Sequence, residues 1–451
     1  MYILHVAEKP ALAKSIAQIL SRGDMRVQSC AKYNKNFCFQ YRIGTQLCDM
    51  VMTSVLGHLT EDDFPAEYQR WSDWPPALLF EAPIRRTVSK TMKDVHKNLV
   101  NKAQRAQQLF LWTDCDREGE NIAHEIAQAC RQANPRIVLR RPRFSVVNAR
   151  DINRACQSPH DIDMRLVYAV DTRRELDLRI GAIFTRFQTM RFQRRFPLLG
   201  KRLISYGGCQ FPTLGFVVDR FLKVENFVPQ SFWKIEVRVA RDDVQVSFLW
   251  RRVHLFDRIC CLALYEECIE RPTATVVSVR SRTTSKRKPL PLTTVELQKS
   301  ATRFLNMSSD QAMAAAESLY TRGLISYPRT ETNRFDASFP FTMMIERQVN
   351  DAAWGTFAQR QVAWPFLLDG GFHAPRSGKD DDRAHPPIHP TGHATDMNAH
   401  ERSVFEFVTR RFLACCADDA RGRETRVEID ISGELFWTKG LIVDARNYLD
   451  V

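Results

Sequence analysis

The 451-residue sequence contains no apolar run approaching the ~18 residues that a membrane span requires. Its first residues, MYILHVAEKPALAKSIAQIL, pass from a strand-like segment to an amphipathic one and lack the organisation of a secretory signal. Twelve cysteines are present, yet no two form a C-x-x-C pair, so neither a zinc ribbon nor a thioredoxin-type site is indicated. Cys415 and Cys416 sit in the apolar run FLACC, where buried reduced thiols are the plain expectation. A reducing compartment, cytosol or nucleus, fits that usage. Internal repeats, low-complexity tracts and a G-x-x-x-x-G-K-[ST] loop are also missing, which removes solenoids, compositionally biased tails and the P-loop route to ATP.

What is present is a globular composition, 44% hydrophobic and 26% charged, with ample chain for a sizeable core. Lys and Arg number 65 against 52 Asp and Glu, a net charge of +13 that points toward a polyanion such as nucleic acid. Over the first 150 residues, strand-like and helix-like segments alternate. YILHVAE reads as a buried strand, PALAKSIAQIL as a helix with proline in its first turn, and FCFQYRIGTQLCDMVMTSV as β-rich. Residues 87–107 read as a polar-faced helix, QLFLWTD as a second buried strand, EGENIAHEIAQAC as a helix and RIVLRRPRFSVV as a third strand. Such alternation predicts an α/β layer with a parallel sheet.

Residues 163–192 are helical and basic, and SYGGCQFP reads as a loop before a helix starting at TLGFVVDRFL. KIEVRVA, VQVSFLWRRV and ATVVSVRSR read as strands, SKRKPLPL (285–292) as a linker, and TVELQKSATRFL and SDQAMAAAESLYTRGLI as helices. Residues 366–396, rich in Gly, Pro, Asp and His, read as a long loop, and the tail returns to helix and strand.

Five constellations carry chemistry. Asp114, Asp116 and Glu118 alternate in DCDREGE, directly after a buried strand, where hard oxygen ligands can converge on Mg²⁺. A solvated acidic helix N-terminus explains the same residues equally well. Glu8 and Lys9 end the first strand, where a carboxylate can move protons and an ammonium can stabilise charge; an ordinary strand-end turn is the blander reading. Tyr327 in GLISYPRTET is followed by a stiffening proline and then Arg329, which suits a phenol attacking phosphorus beside a phosphate clamp. A lone tyrosine packed at a helix end is far commoner. His385 and His389 lie in HPPIHPT, whose prolines can hold a histidine toward a phosphate. The helix at 163–192 and the residues just after it carry Arg165, Arg173, Arg174, Arg179, Arg186, Arg191, Arg194 and Arg195 among Phe184, Phe187 and Phe192, a composition suited to phosphates and bases of a single strand. A solvated helix face accounts for part of it.

Together these residues resemble a known family. Glu8-Lys9 with Asp114-x-Asp116-x-Glu118 resembles a TOPRIM domain, and RRELDLRIG, SYGGCQFPTLGFVV, GLISYPRTET and AHPPIHPT follow in the order of type IA DNA topoisomerases of the eukaryotic topoisomerase III, alpha-like kind. The fold class implied is an α/β plus α+β multidomain chain, a TOPRIM domain followed by the toroid domains. The implied segments are 1–150 (TOPRIM), 151–225 (helical DNA groove, first part), 226–290 (β-rich arch segment), 291–400 (tyrosine-bearing) and 401–451 (arch return). The resemblance further implies that the chain is truncated after ARNYLDV, leaving the arch incomplete, and that the loop at Gly208 is looser than in relatives.

By the same resemblance, Tyr327 is the nucleophile forming a 5′-phosphotyrosine, Arg329 positions the scissile phosphate, Lys9 stabilises the transition state, Glu8 is the acid/base carboxylate and His385 lies near the phosphate. Asp114, Asp116 and Glu118 hold Mg²⁺, and Arg173, Asp177, Ser205 and Gln210 line the single-strand groove. The activity implied is ATP-independent cleavage, strand passage and religation, relaxing negative supercoils and unlinking recombination and replication intermediates. Single-stranded and negatively supercoiled DNA, a RecQ-family helicase, an OB-fold accessory protein and a nuclear location are implied with it. The competing expectations are a TOPRIM nuclease that makes no use of Tyr327 and a truncated single-stranded DNA-binding protein.

Overall fold

The computed structural model describes residues 1–29, 34–241, 243–362 and 371–451; Cys30 and residues 366–370 of the expected loop lie outside them. In chain order the first elements are β1 (Tyr2–Ala7), α1 (Pro10–Ser21), β2 (Arg26–Ser29), β3 (Lys35–Ile43), β4 (Gln46–Ser54), β5 (Thr60–Asp63), β6 (Arg85–Val88), α2 (Lys93–Ala103), β7 (Gln108–Trp112), α3 (Arg117–Ala133), β8 (Val138–Arg140), α4 (Ala149–Gln157), α5 (Met164–Arg195) and α6 (Gln210–Glu225). They are followed by β9 (Glu236–Arg241), β10 (Val244–Trp250), α7 (Arg258–Glu270), β11 (Thr275–Lys286), α8 (Thr294–Phe304), α9 (Ser309–Thr321), α10 (Phe341–Glu346), α11 (Gly355–Val362), α12 (Ala399–Cys415), β12 (Ala420–Ile431) and β13 (Glu434–Ala445).

The chain divides into two compact units. The first comprises Met1–Asp219, Leu292–Phe339 and Gly378–Thr409; the second comprises Arg220–Pro291, Pro340–Ser377 and Arg410–Val451. In the first unit, a six-stranded sheet runs β2-β3-β4-β1-β7-β8. β1 is buried along nearly its whole length, as a central strand covered on both faces must be. It pairs in parallel with β4 and β7, with Ala7 beside Trp112. This register brings the residues after both strands, Glu8 and Asp114, to the same end of the sheet.

The sheet is mixed, which corrects the expectation of a parallel one: β2, β3 and β4 pair antiparallel. β3 and β4 are joined by a tight turn with Gly44 at φ 57°, and so short a connection can only make a hairpin, since a parallel pair needs a long crossover. Residues 87–107 are only partly helical. Their start belongs to β6, which pairs with β5, and α2 begins at Lys93. The strand expected over RIVLRRPRFSVV shrinks to Val138–Arg140, with a proline at 142 just beyond, where ladder hydrogen bonding would be lost. The core of this unit joins Leu4, Val6 and Val51 of the sheet to Leu99 of α2 and Ile122 and Ile126 of α3.

In the second unit, five antiparallel strands run β11-β12-β13-β10-β9. β12 and β13 turn at Ser432 and Gly433, both at positive φ (54° and 88°), as a two-residue hairpin requires. Helix α7 is absent from the sequence expectations; its Cys261 and Cys268 pack with Phe248, Trp250, Ile429 and Phe436. SKRKPLPL contains the boundary between the units, but Lys288 is buried and donates to the carbonyls of His373, Ala374 and Ala417, so the stretch is structured rather than a free linker. Helix α6 starts at Gln210, three residues before the expected TLGFVV. Among the described residues, every cysteine is a free thiol, with Cys415 and Cys416 buried. No described helix is long and apolar enough to cross a membrane.

Candidate active site

The acidic segment is shaped by its backbone. Asp114 follows β7, and Asp116 caps α3, its Oδ1 accepting from the Gly119 amide at 2.7 Å. Gly119 is required at this close approach, because a Cβ there would collide with the Asp114 carbonyl oxygen. Arg141, fully buried, fixes the strand end from below. It pairs with Glu120 at 3.1 Å and donates to the carbonyls of Leu111, Thr113, Pro142 and Asp114 at 2.7–3.1 Å. No sequence signal singles out Arg141, since its partners lie on three separate segments.

Glu8 accepts from the Asp114 amide at 3.0 Å. Burial, and then repulsion from the Asp114 carboxylate, push its carboxyl up to about 7. Burial raises Asp114 as well. Lys9 donates to Asp114 Oδ2 at 3.4 Å and to Glu317 Oε2 at 3.4 Å. Burial alone would lower the Lys9 ammonium, but Asp114, Glu8 and Glu317 outweigh it and raise it.

Tyr327 arrives from a distant segment of the same unit. Its backbone is pinned on both sides: its amide donates to Ser145 O at 3.0 Å, the Ser326 amide donates to His389 O at 3.0 Å, and Ile325 bridges Pro390. Gly323, at φ 74°, turns the chain out of α9 toward it, in close approach to the Val147 carbonyl. The Tyr327 hydroxyl donates to Asp116 Oδ2 at 2.6 Å. Burial, and the carboxylates of Asp114 and Asp116, raise its pKa well above that of a free phenol. His385 lies 4.4 Å from the tyrosine ring, with Nδ1 3.0 Å from Ser145 Oγ and a buried Nε2 that has no hydrogen-bond partner among the described residues. Burial lowers this imidazole to about 4. Arg329 is bound through Nε to Glu317 at 3.0 Å, and its Nη2 also reaches that carboxylate.

The three metal-candidate carboxylates share one end of the sheet but have different partners. Glu118 pairs with His58 at 3.0 Å and with Arg173 at 2.6 Å. Among the described residues, no group of three or more His, Cys, Asp or Glu forms a ready-made cage. Asp114 Oδ1, in contrast, is a buried carboxylate oxygen without a hydrogen-bond partner among the described residues. A hard divalent cation held by one or two carboxylates and keeping its waters fits that donor set.

The expected groove residues divide. Arg173 is exposed and lies on Glu118, with Asp177 3.9 Å away. Ser205 and Gln210 are exposed and lie farther along the chain, on the loop before α6 and at its first residue. Three arginines of α5 are structural rather than free for phosphates. Arg174 pairs with Asp62 and Glu125, Arg179 donates to the carbonyls of Leu79 and Ala82, and Arg186 donates to that of Tyr68. At the far end of α5, Arg191, Arg194 and Arg195 line an open pocket of about 600 Å³ with Phe187, Phe192 and Phe196.

Residues 3–142 match the Toprim domain and residues 161–451 match the DNA topoisomerase family. The chain belongs to the type IA DNA topoisomerase family. It is 48% identical over 451 residues to human DNA topoisomerase 3-alpha, a match covering 100% of this chain and 44% of that one. It is 44% identical over 457 residues to DNA topoisomerase 3 of Schizosaccharomyces pombe, covering 100% of this chain and 72% of that one. The chain thus spans less than half the length of the human relative. Full-length topoisomerase I from Thermotoga maritima shares the fold of this topoisomerase-family chain, with a TM-score of 0.70 at 23% identity, covering 100% of this chain and 67% of that one. Toprim domains generally bind a divalent metal, in keeping with the carboxylate-lined sheet end.

Proposed function

We propose that this topoisomerase-family chain cleaves and rejoins one strand of DNA through a 5′-phosphotyrosine at Tyr327, without ATP. The observation that carries this reading is the meeting of the Tyr327 hydroxyl with Asp116, with Lys9 and Arg329 both joined to the nearby Glu317. In the forward step the phenolic oxygen forms a bond to phosphorus, the bond from phosphorus to the 3′ oxygen breaks, and that oxygen takes a proton. Religation is the reverse, so the energy of the broken ester is kept. Asp116 Oδ2 accepts the phenolic proton, and Glu8, balanced near neutrality, can carry a proton for the departing oxygen. Lys9 and Arg329 offset the charge gathering on phosphate, and the pinned backbone at Tyr327 holds the nucleophile in line. Asp114 and Asp116, with Glu118 beside them, would hold Mg²⁺, which supplies electrostatic stabilisation of the phosphate oxygens.

Single-stranded and negatively supercoiled DNA are the proposed substrates, supported by the aromatic and basic pocket at the end of α5. Arg173, Asp177, Ser205 and Gln210 belong to the proposed groove, and His385 to the phosphate site. The helicase and OB-fold partners and the nuclear location are part of the same proposal and rest on the resemblance. So does the division into five segments at 150, 225, 290 and 400.

The test is a denaturing gel of the protein with single-stranded DNA and Mg²⁺, labelled at either end. Label retained on protein only from the 3′ end is the expected result. Retention only from the 5′ end, or free 5′ ends without attached protein, overturns the assignment, the latter in favour of a nuclease.

A further inference from the structure

We propose that Glu317 is a positioning residue of this site, an internal stand-in for the phosphodiester that braces Lys9 and Arg329 until DNA arrives. The inference deepens the proposed cleavage reaction and rests on it. Glu317 is not among the residues the motifs single out. It lies on α9, three residues before Tyr320, so one face of the helix carries both. The buried Tyr320 ring packs edge-on against Tyr327, 5.2 Å between centroids, while Glu317 reaches the cations of the site.

One carboxylate serves two cations from distant parts of the chain. Its Oε2 accepts from Lys9 Nζ at 3.4 Å, and its Oε1 accepts from Arg329 Nε at 3.0 Å and from Arg329 Nη2. Lys9 lies two residues beyond the end of β1, 308 residues away, and Arg329 lies two residues past the nucleophile. A phosphate presents the same thing to these groups: an anion with oxygens separated by a single central atom. The helix is anchored for the task, with a reciprocal capping box of Ser308 and Gln311 at its start and Ser15 Oγ donating to the Thr321 carbonyl at its end. Burial alone would raise the Glu317 carboxyl, yet Arg329 and Lys9 hold it below its ordinary value, so it is charged wherever the protein is folded near neutrality.

Two opposed consequences follow from this geometry. The carboxylate competes with DNA for both cations, so its loss strengthens binding. It also sets the separation and direction of those cations, so its loss leaves them mispositioned for the transition state. A residue that served stability alone would move binding and cleavage in the same direction.

The experiment compares the full chain with Glu317→Gln and Glu317→Asp. Single-stranded DNA affinity is measured in EDTA over a salt series, and covalent adduct formation on the bound strand is measured with Mg²⁺. For Glu317→Gln, affinity rises about 3- to 10-fold. Its log–log salt dependence steepens by about 0.7 for each cation freed. Cleavage of bound DNA slows about 10- to 100-fold. Glu317→Asp keeps the charge but is too short to span both cations, so its affinity rises by less than that of Glu317→Gln while cleavage slows. Affinity that is unchanged or weaker in Glu317→Gln, or parental cleavage in either variant, overturns the inference. If Glu317→Gln does not fold, Glu317→Asp decides by its cleavage rate. Absence of adduct in the parent counts against the proposed reaction instead, and the metal-free affinities then decide the role of Glu317.

Discussion

Tyr327 donates its hydroxyl proton to Asp116 Oδ2 at 2.6 Å, although 211 residues of chain separate them. Tyr327→Phe keeps the ring against His385 and Tyr320 and removes only this bond and the nucleophile. Covalent adduct disappears from denaturing gels, while single-stranded DNA binding in EDTA is retained. Adduct surviving in this variant would place the nucleophile elsewhere.

Asp116 also stands in the proposed metal set, so its charge matters twice. Mg²⁺ at ten times its dissociation constant stabilises the parent by about 1.4 kcal/mol, seen as a rise in Tm. In Asp116→Asn the rise at the same concentration is smaller, and the Mg²⁺ titration of cleavage moves to higher concentration. An unaltered Mg²⁺-dependent Tm in that variant would remove Asp116 from the metal set.

Arg141 is fully buried, and its guanidinium carries Glu120 and four carbonyls at the strand end. Arg141→Met leaves the Glu120 carboxylate buried with its main cationic partner gone. The expected cost is about 3–5 kcal/mol in urea unfolding. A cost under about 1 kcal/mol would show that water reaches the site and replaces the arginine.

Three imidazoles are held neutral by burial: His5 is lowered to about 3, and His385 and His389 to about 4. Each takes a proton more readily in the unfolded chain than in the folded one. Their contribution to stability is therefore complete above about pH 6.5 and is lost as pH falls toward 4. Differential scanning measurements across that range should show Tm falling with acidity.

Glu8 works in the opposite direction. Its carboxyl is raised to about 7, so its contribution is complete below the ordinary glutamate range and is lost as pH rises through 7. Glu8→Gln should therefore gain Tm relative to the parent as pH is raised from 4.5 to 8. A constant difference across that range would mean that Glu8 is not raised.

Much of the first unit is legible in sequence because its signals are local. The run YILHVA is buried on both faces and becomes a central strand, and Pro10 opens α1 at its first position. The alternation of Asp114, Asp116 and Glu118 after QLFLW places a strand end and a helix start. The misses have equally physical causes. Arg174, Arg179 and Arg186 look like nucleic-acid contacts in a basic helix, but α3 and β5 turn carboxylates toward Arg174, and neighbouring segments turn carbonyls toward Arg179 and Arg186. The sequence pattern of α7 lacks one clean apolar stripe, since Ile259, Leu262, Tyr265 and Ile269 are exposed while two cysteines point inward.

By itself the sequence determined the chemical inventory: a phenol beside a proline and an arginine, three alternating carboxylates, a basic chain and the order of motifs that marks the family. It determined each of these through neighbours within a few residues, where periodicity and capping act. Which groups meet was left to the tertiary fold. It put Glu8 beside Asp114 through the β1–β7 register, brought Tyr327 onto Asp116, and set Glu317 between Lys9 and Arg329. Those relationships depend on strand order and on the packing of α9, and contacts across hundreds of residues leave no local pattern in the chain.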